Sequence, residues 1–290
     1  MATADGAAAG GAGGRWRIER LSGGPLGAEV HGVRLSPGMD AAEIAELRRL
    51  WLAHGVLFFR DQEHLGPAEF LGFARRFGEV VEYPFVKGLD GFPEITPVVK
   101  REGERRNFGG VWHSDTAYLE RPPMATLLIA RELPPAGGDT MFADMYAAYE
   151  ALSPGLRRTL EGLRALNSSR KADASATRED RMRDSGTGRA EVLEAEHPVV
   201  RTHPETGRRA LYVNIGHTVR FAGWTEEESR PLLDYLFRHL TQPEFTCRFR
   251  WRPGSVAFWD NRCTQHYPLN DYHGHRRVMH RVTLAGDRPR

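Results

Sequence analysis

The sequence predicts a mainly β fold, a sandwich or jelly roll with helices packed against its outside. Two observations predict it. Short apolar runs separated by turn residues fill much of the chain, and the helical segments cluster near the N-terminus and in the middle rather than alternating with strands. A third observation narrows the class: no GxGxxG follows a strand and no GxxxxGK[ST] is present, so nucleotide binding has no support.

The elements follow in order. Residues 1–14 are Gly/Ala-rich and are expected to be a disordered tail, leaving 15–290 as a single domain. Asp40 and Glu43 form a capping box, and Ile44, Leu47, Leu50 and Trp51 recur behind it at helical spacing, with Gly55 as the stop. Residues 56–59 read as a buried strand, and a second helix starts at Pro67. Apolar runs at 94–99, 125–130 and 140–143 read as strands, and Ser153 with Pro154 opens another helix. Residues 170–190 are charged and nearly lack large apolar groups, so a mobile lid or a disordered insert is expected there. Thr225 and Glu228 make a second capping box, and Pro231 inside the following run predicts a kink or a restart. The final third reads as strands at 245–251, 255–259 and 277–284.

Composition bounds the partners. The 290 residues are 40% hydrophobic with a formal net charge of +2, so no whole-molecule field favours nucleic acid or a membrane. The N-terminus has no signal-peptide pattern, and no run of about eighteen apolar residues occurs. Two cysteines, Cys247 and Cys263, are too few for a disulfide framework, which points to a reduced, cytoplasmic setting.

The chemistry gathers in Val111-Trp-His113-Ser-Asp115. Alternation along a strand would turn His113 and Asp115 to one side and Ser114 to the other. Alone, such a triplet reads more readily as a strand-end pair satisfied by hydrogen bonds. Further on stand His266, about 150 residues later, and then Arg277 and Arg281, 11 and 15 positions beyond it. This pattern resembles the taurine/2,4-D dioxygenase family of 2-oxoglutarate-dependent non-haem iron enzymes. The likeness extends to Gly137-Gly-Asp-Thr140, Ala148-Tyr-Glu-Ala-Leu152, His197-Pro-Val-Val-Arg-Thr-His203 and Trp259-Asp-Asn-Arg262, so it covers essentially the whole folded chain.

The resemblance implies a cupin-like double-stranded β-helix and an iron(II) centre held by His113, Asp115 and His266. Two histidines and one carboxylate leave one face of the metal open, as 2-oxoglutarate and dioxygen require. Arg277 and Thr140 match the residues that hold the far carboxylate of 2-oxoglutarate, a task suited to a planar, permanently charged guanidinium. Arg281 matches a residue near the junction of cosubstrate and substrate. Asp115 favours hydroxylation, or a close variant such as desaturation, over halogenation, because halogenating relatives lack that carboxylate. His280, between the two arginines, has the parity of the opposite face and reads as structural. Homodimers or homotetramers are common among relatives.

The implied substrate is a small organic anion: a sulfonate, sulfate ester, aryloxy acid or amino-acid-like acid. Taurine itself fits poorly. Tyr83 and Val86 stand where the taurine enzymes carry a His and a Tyr, and Gly109 replaces their Asn. Tyr83, Val86, Tyr212 and Asn214 are the expected pocket residues. The rival reading is a cupin-like hydrolase or isomerase, which would keep the triad but has no need of Arg277 and Thr140 at that spacing.

Overall fold

The computed structural model describes residues 15–83, 85–171 and 192–290. The expected tail, and the expected lid from residue 172 onward, lie outside the described residues.

Two sheets face each other. The larger has eight strands: β1 (Arg17–Arg20), β2 (Ala28–His31), β3 (Val56–Phe59), β4 (Val80–Val81), β5 (Thr96–Lys100), β6 (Ala125–Glu132), β14 (Val256–Asp260) and β16 (Arg277–Leu284). Their order is β1-β2-β3-β14-β6-β16, with β16 carrying both β4 and β5 on its far side. The smaller sheet runs β13 (Thr246–Phe249), β7 (Thr140–Asp144), β15 (Thr264–Pro268), all antiparallel. A three-stranded sheet, β12 (Thr218–Phe221), β8 (Arg164–Ser168), β9 (Glu194–Pro198), and the hairpin β10 (Val200–Thr202) with β11 (Arg209–Leu211) lie beyond.

The apolar runs are explained by burial on both faces of the large sheet. Leu127, Ile129, Val256, Phe258 and Val282 pack outward under α1 (Ala41–His54) and α2 (Pro67–Ala74), where Trp51 stacks on Phe258 at 4.6 Å. Their neighbours Leu128, Ala130, Ala257, Trp259 and Met279 point inward against Phe142 and Phe249 of the small sheet. Strands buried on both sides lose the polar–apolar alternation of a half-exposed sheet. A third cluster joins α3 (Met145–Glu150) and α5 (Glu226–Leu240) over the outer strands, with α4 (Pro154–Glu161) beside it.

Both capping boxes form as expected, with Asp40 on Glu43 and Thr225 on Glu228. Of the kink or restart expected at Pro231, the restart does not occur: α5 runs through it. Only the backbone bond that residue 231 would have donated is lost, and burial of Leu233, Leu236 and Leu240 holds the helix across it. The 245–251 run shortens to β13, and β15, which carries His266, was not expected as a strand.

Candidate active site

His266 sits mid-way along β15, on the inward face, with its ring 4.7 Å from that of Trp259. The His113–Asp115 segment is not the continuous strand its sequence suggested. His113 makes an isolated bridge with His266, its N–H donating to the His266 carbonyl at 3.1 Å and its carbonyl accepting at 2.9 Å. The chain then turns, and Thr116 adopts φ of +42°. Ser114 does face away, donating its hydroxyl to the Thr264 carbonyl at 2.8 Å. Convergence of His113 and Asp115 therefore comes from a turn behind one bridged residue rather than from strand parity.

Three donor atoms meet. Asp115 Oδ1 lies 3.7 Å from His113 Nε2 and 3.9 Å from His266 Nε2, and all three residues are buried. The opposite edge of His113 is fixed by Nδ1 donating to the Val111 carbonyl at 2.7 Å, which leaves the Nε2 lone pair for the shared point. Asp115 Oδ2 is occupied by the Thr126 hydroxyl at 2.6 Å; Thr126 accepts from Asn261 Nδ2, whose amide oxygen accepts from the Trp259 indole. The rim is closed by glycines. A Cβ on Gly109, where φ is +68°, would stand 2.8 Å from His113 Cε1, and one on Gly216 would stand 3.0 Å from His113 Cβ.

The protonation states suit a cation. Burial lowers both imidazoles, His266 to about 3. Burial alone would raise the Asp115 carboxyl, but His266, Arg281, His113 and the Thr126 hydroxyl outweigh it and hold it at about 2. Two neutral imidazoles and a carboxylate are the donor set a divalent metal needs, and these residues fit one on that ground.

The triad opens into a cavity also lined by Thr140, Arg277, Arg281, Lys100, Phe108, Leu128 and Tyr272. Arg277 and Arg281 share the inward face of β16 with Met279, and each is buried with Nε and Nη2 lacking any protein partner. Thr140 accepts the Trp251 indole N–H at 3.0 Å, so its hydroxyl proton remains to donate. Arg281 Nη1 lies 3.8 Å from Asp115 Oδ1, and its guanidinium carbon lies 4.3 Å over the Tyr83 ring and 5.8 Å from that of Phe108.

The other expected pocket residues divide. Tyr83 meets the site through Arg281. Val86 lines a small apolar recess with Thr96, Pro97, Val98, Val99 and Phe108, the last three of which also line the main cavity. Tyr212 and Asn214 are not among the residues lining it. Tyr212 packs 4.9 Å under the Arg201 guanidinium, and Asn214 Oδ1 accepts from the His217 N–H at 2.8 Å in the turn that brings Gly216 against His113. His280 leaves the opposite face and accepts from Arg131 at 3.4 Å. Sequence reasoning missed Lys100, Asn107, Phe108 and Tyr272. Their only sequence signal was position: all lie in segments next to those carrying His113 and Arg277.

A second buried cluster, His203, Asp260 and Cys263, also offers donors to a metal. Its valences are already used. His203 Nδ1 accepts two backbone N–H groups and Nε2 donates to Asp260, whose two oxygens take the Arg262 guanidinium fork. This is an internal brace between β14 and the β10–β11 hairpin.

A jelly roll with this donor set, opening into an arginine-lined cavity, defines a cupin-like protein whose triad could hold a metal ion. The comparisons make the class particular. The chain belongs to the family described as taurine catabolism dioxygenase TauD, TfdA family, whose model matches residues 17–283. It is 41% identical to an alpha-ketoglutarate-dependent sulfate ester dioxygenase of Pseudomonas putida, over 92% of this chain and 88% of that one. It is 37% identical to an alkylsulfatase of Acinetobacter baylyi, over 93% and 85%. A crystal structure of a taurine dioxygenase from Burkholderia xenovorans superposes with a TM-score of 0.79 at 38% identity, covering 94% of this chain and 90% of that one.

Proposed function

We propose that the chain is an iron(II)- and 2-oxoglutarate-dependent dioxygenase that oxidises a small organic anion, foremost an alkyl sulfate ester. The observation that carries the reading is the unpartnered fork of Arg277 in the same buried cavity as the His113, Asp115 and His266 donors. A cupin-like hydrolase would leave that buried guanidinium without an occupant.

In this reading His113, Asp115 and His266 hold the iron. When bound, iron supplies the dioxygen chemistry that couples decarboxylation of 2-oxoglutarate, giving succinate and carbon dioxide, to hydroxylation of the substrate. Arg277 holds the far carboxylate of 2-oxoglutarate with two parallel N–H groups, and Thr140 adds its hydroxyl proton to the same group. Arg281, seated over the Tyr83 ring with Phe108 nearby, holds the substrate anion beside the donors. The cavity lining sets three cations, Lys100, Arg277 and Arg281, against one carboxylate, Asp115, so it favours a dianionic cosubstrate together with an anionic substrate. Phe108, Leu128, Val98 and the recess containing Val86 offer apolar surface to an alkyl chain. The names of the Pseudomonas and Acinetobacter relatives support a sulfate ester. Hydroxylation at the ester-bearing carbon would give a hemiacetal sulfate that collapses to an aldehyde and inorganic sulfate.

Gly109 argues against taurine. In this backbone a side chain at 109 would enter the His113 ring, so the Asn of the taurine enzymes has no room. The two free, buried cysteines support a reducing cytoplasm, and none of the described helices is long and apolar enough to cross a membrane. We assign residues 15–290 to one catalytic domain.

The test is a substrate panel. Purified protein with iron(II), ascorbate and 2-oxoglutarate is offered alkyl sulfates, alkyl sulfonates, aryloxy acids and amino-acid derivatives. Succinate formation is expected to rise most with alkyl sulfates, accompanied by sulfate release. No succinate with any of them would end the reading.

A further inference from the structure

Lys100 lines the cavity, yet neither the triad nor the two arginines account for it. It is the last residue of β5 and stands directly opposite Arg277 in the β5–β16 ladder, so both side chains leave the sheet on the inward face. Both are buried, at 4% and 5% exposure. Like charges facing each other across a ladder destabilise it, and burial raises the cost of each.

The protein does little to neutralise the pair. Lys100 Nζ donates to Asn270 Oδ1 at 2.9 Å and lies 4.0 Å from the centre of the Tyr272 ring. Asp139, whose charge acts on Arg277, accepts from Arg248 at 2.7 Å, and Asp271 accepts the Gly138 N–H at 2.7 Å. Glu104 and Asp271 act on Lys100 through space. Burial holds its ammonium below the ordinary lysine value, with Glu104 opposing that shift. Two buried cations set side by side with such partial neutralisation form a carboxylate site.

Register decides which anion. Opposite Arg281 stands Thr96, about 13 Å along the strands from the Lys100–Arg277 pair. Lys100 therefore serves the Arg277 end of the cavity and not the end where Arg281 meets Asp115. We infer that Lys100 is a second cationic partner for the far carboxylate of 2-oxoglutarate and sets the preference for a dicarboxylic over a monocarboxylic 2-oxo acid. This rests on the reading of the Arg277 subsite given above. Asn270 orients the ammonium, and its own amide donates to the Arg105 carbonyl at 2.7 Å, tying the two loops that bound this end.

The experiment is calorimetric titration of the Mn(II)-loaded protein with 2-oxoglutarate and with 2-oxopentanoate, its five-carbon counterpart ending in a methyl group. Lys100→Met is expected to weaken 2-oxoglutarate by about 10- to 100-fold while changing 2-oxopentanoate by less than about twofold. Lys100→Arg is expected to recover most of the loss. The retained monocarboxylate affinity reports that the variant is folded and its metal site intact. Unchanged 2-oxoglutarate affinity in Lys100→Met, or equal loss of both acids, overturns the inference alone. Failure of the wild-type protein to bind 2-oxoglutarate overturns it together with the proposed function.

Discussion

Thr126 donates its hydroxyl to Asp115 Oδ2 at 2.6 Å, so the oxygen left to face His113 and His266 is Oδ1. One side chain on the large sheet thereby orients the carboxylate of a turn that bridges to the small one. Thr126→Val frees the carboxylate to rotate and leaves Asn261 Nδ2 without its acceptor. Affinity for Mn(II) or iron(II) is expected to fall about 10- to 100-fold, with Thr126→Ser close to wild type. Competition against a chelator of known affinity measures this.

Gly109 presses on His113 from the other side. Gly109→Ala must place a Cβ 2.8 Å from Cε1 at a φ that L-residues avoid. The expected result is a loss of about 1–3 kcal/mol in unfolding free energy, with metal affinity falling in parallel. Urea unfolding and the same chelator competition check the two effects.

Arg281 carries the substrate anion in this account, and Arg277 the cosubstrate. Arg281→Gln is expected to lower kcat/KM for an alkyl sulfate about 100-fold. Its affinity for 2-oxoglutarate should stay within about threefold of wild type, because the two arginines are about 13 Å apart along β16. Steady-state kinetics and anaerobic titration separate these parameters.

Stability of the metal-free protein should fall as acid is added, beginning in the histidine range. Burial, then Arg131, lowers His280 to about 4; burial, with Arg201 adding to it, lowers His197 to about 4. The unfolded chain, with ordinary histidines, binds protons first, so stability rises with pH across this window. Their contribution is complete above about pH 6.5 and is lost as pH falls toward about 4. Asp115, depressed to about 2, is lost only at lower pH. Unfolding midpoints from pH 7 to 4 should show the decline, and His280→Gln should flatten it.

Much of the site was legible because strand periodicity survives folding. Arg277 and Arg281 are four apart on one strand, and β16 does turn both inward while sending His280 out. Spacing alone did not reveal that His113 and Asp115 converge through a turn. The positive φ at Thr116 depends on Ser114 and Asp115 being held by Thr264, Asn261 and Thr126, all distant in sequence. Tyr212 and Asn214 looked like pocket residues by type, but their position was decided by Arg201 and by the 214–217 turn. Lys100 was invisible for the opposite reason. A lysine ending a strand is ordinarily solvated, and only the β5–β16 register makes it the buried neighbour of Arg277.

The central claim is that His113, Asp115 and His266 form an iron site whose cosubstrate is held by Arg277. Anaerobic addition of 2-oxoglutarate to the iron(II)-loaded protein tests it most directly, through the weak visible charge-transfer band that their complex gives. The account predicts the band in wild type, its loss in His266→Ala, and its appearance in Arg277→Ala only at much higher 2-oxoglutarate. No band in wild type, or an undiminished band in His266→Ala, would contradict it.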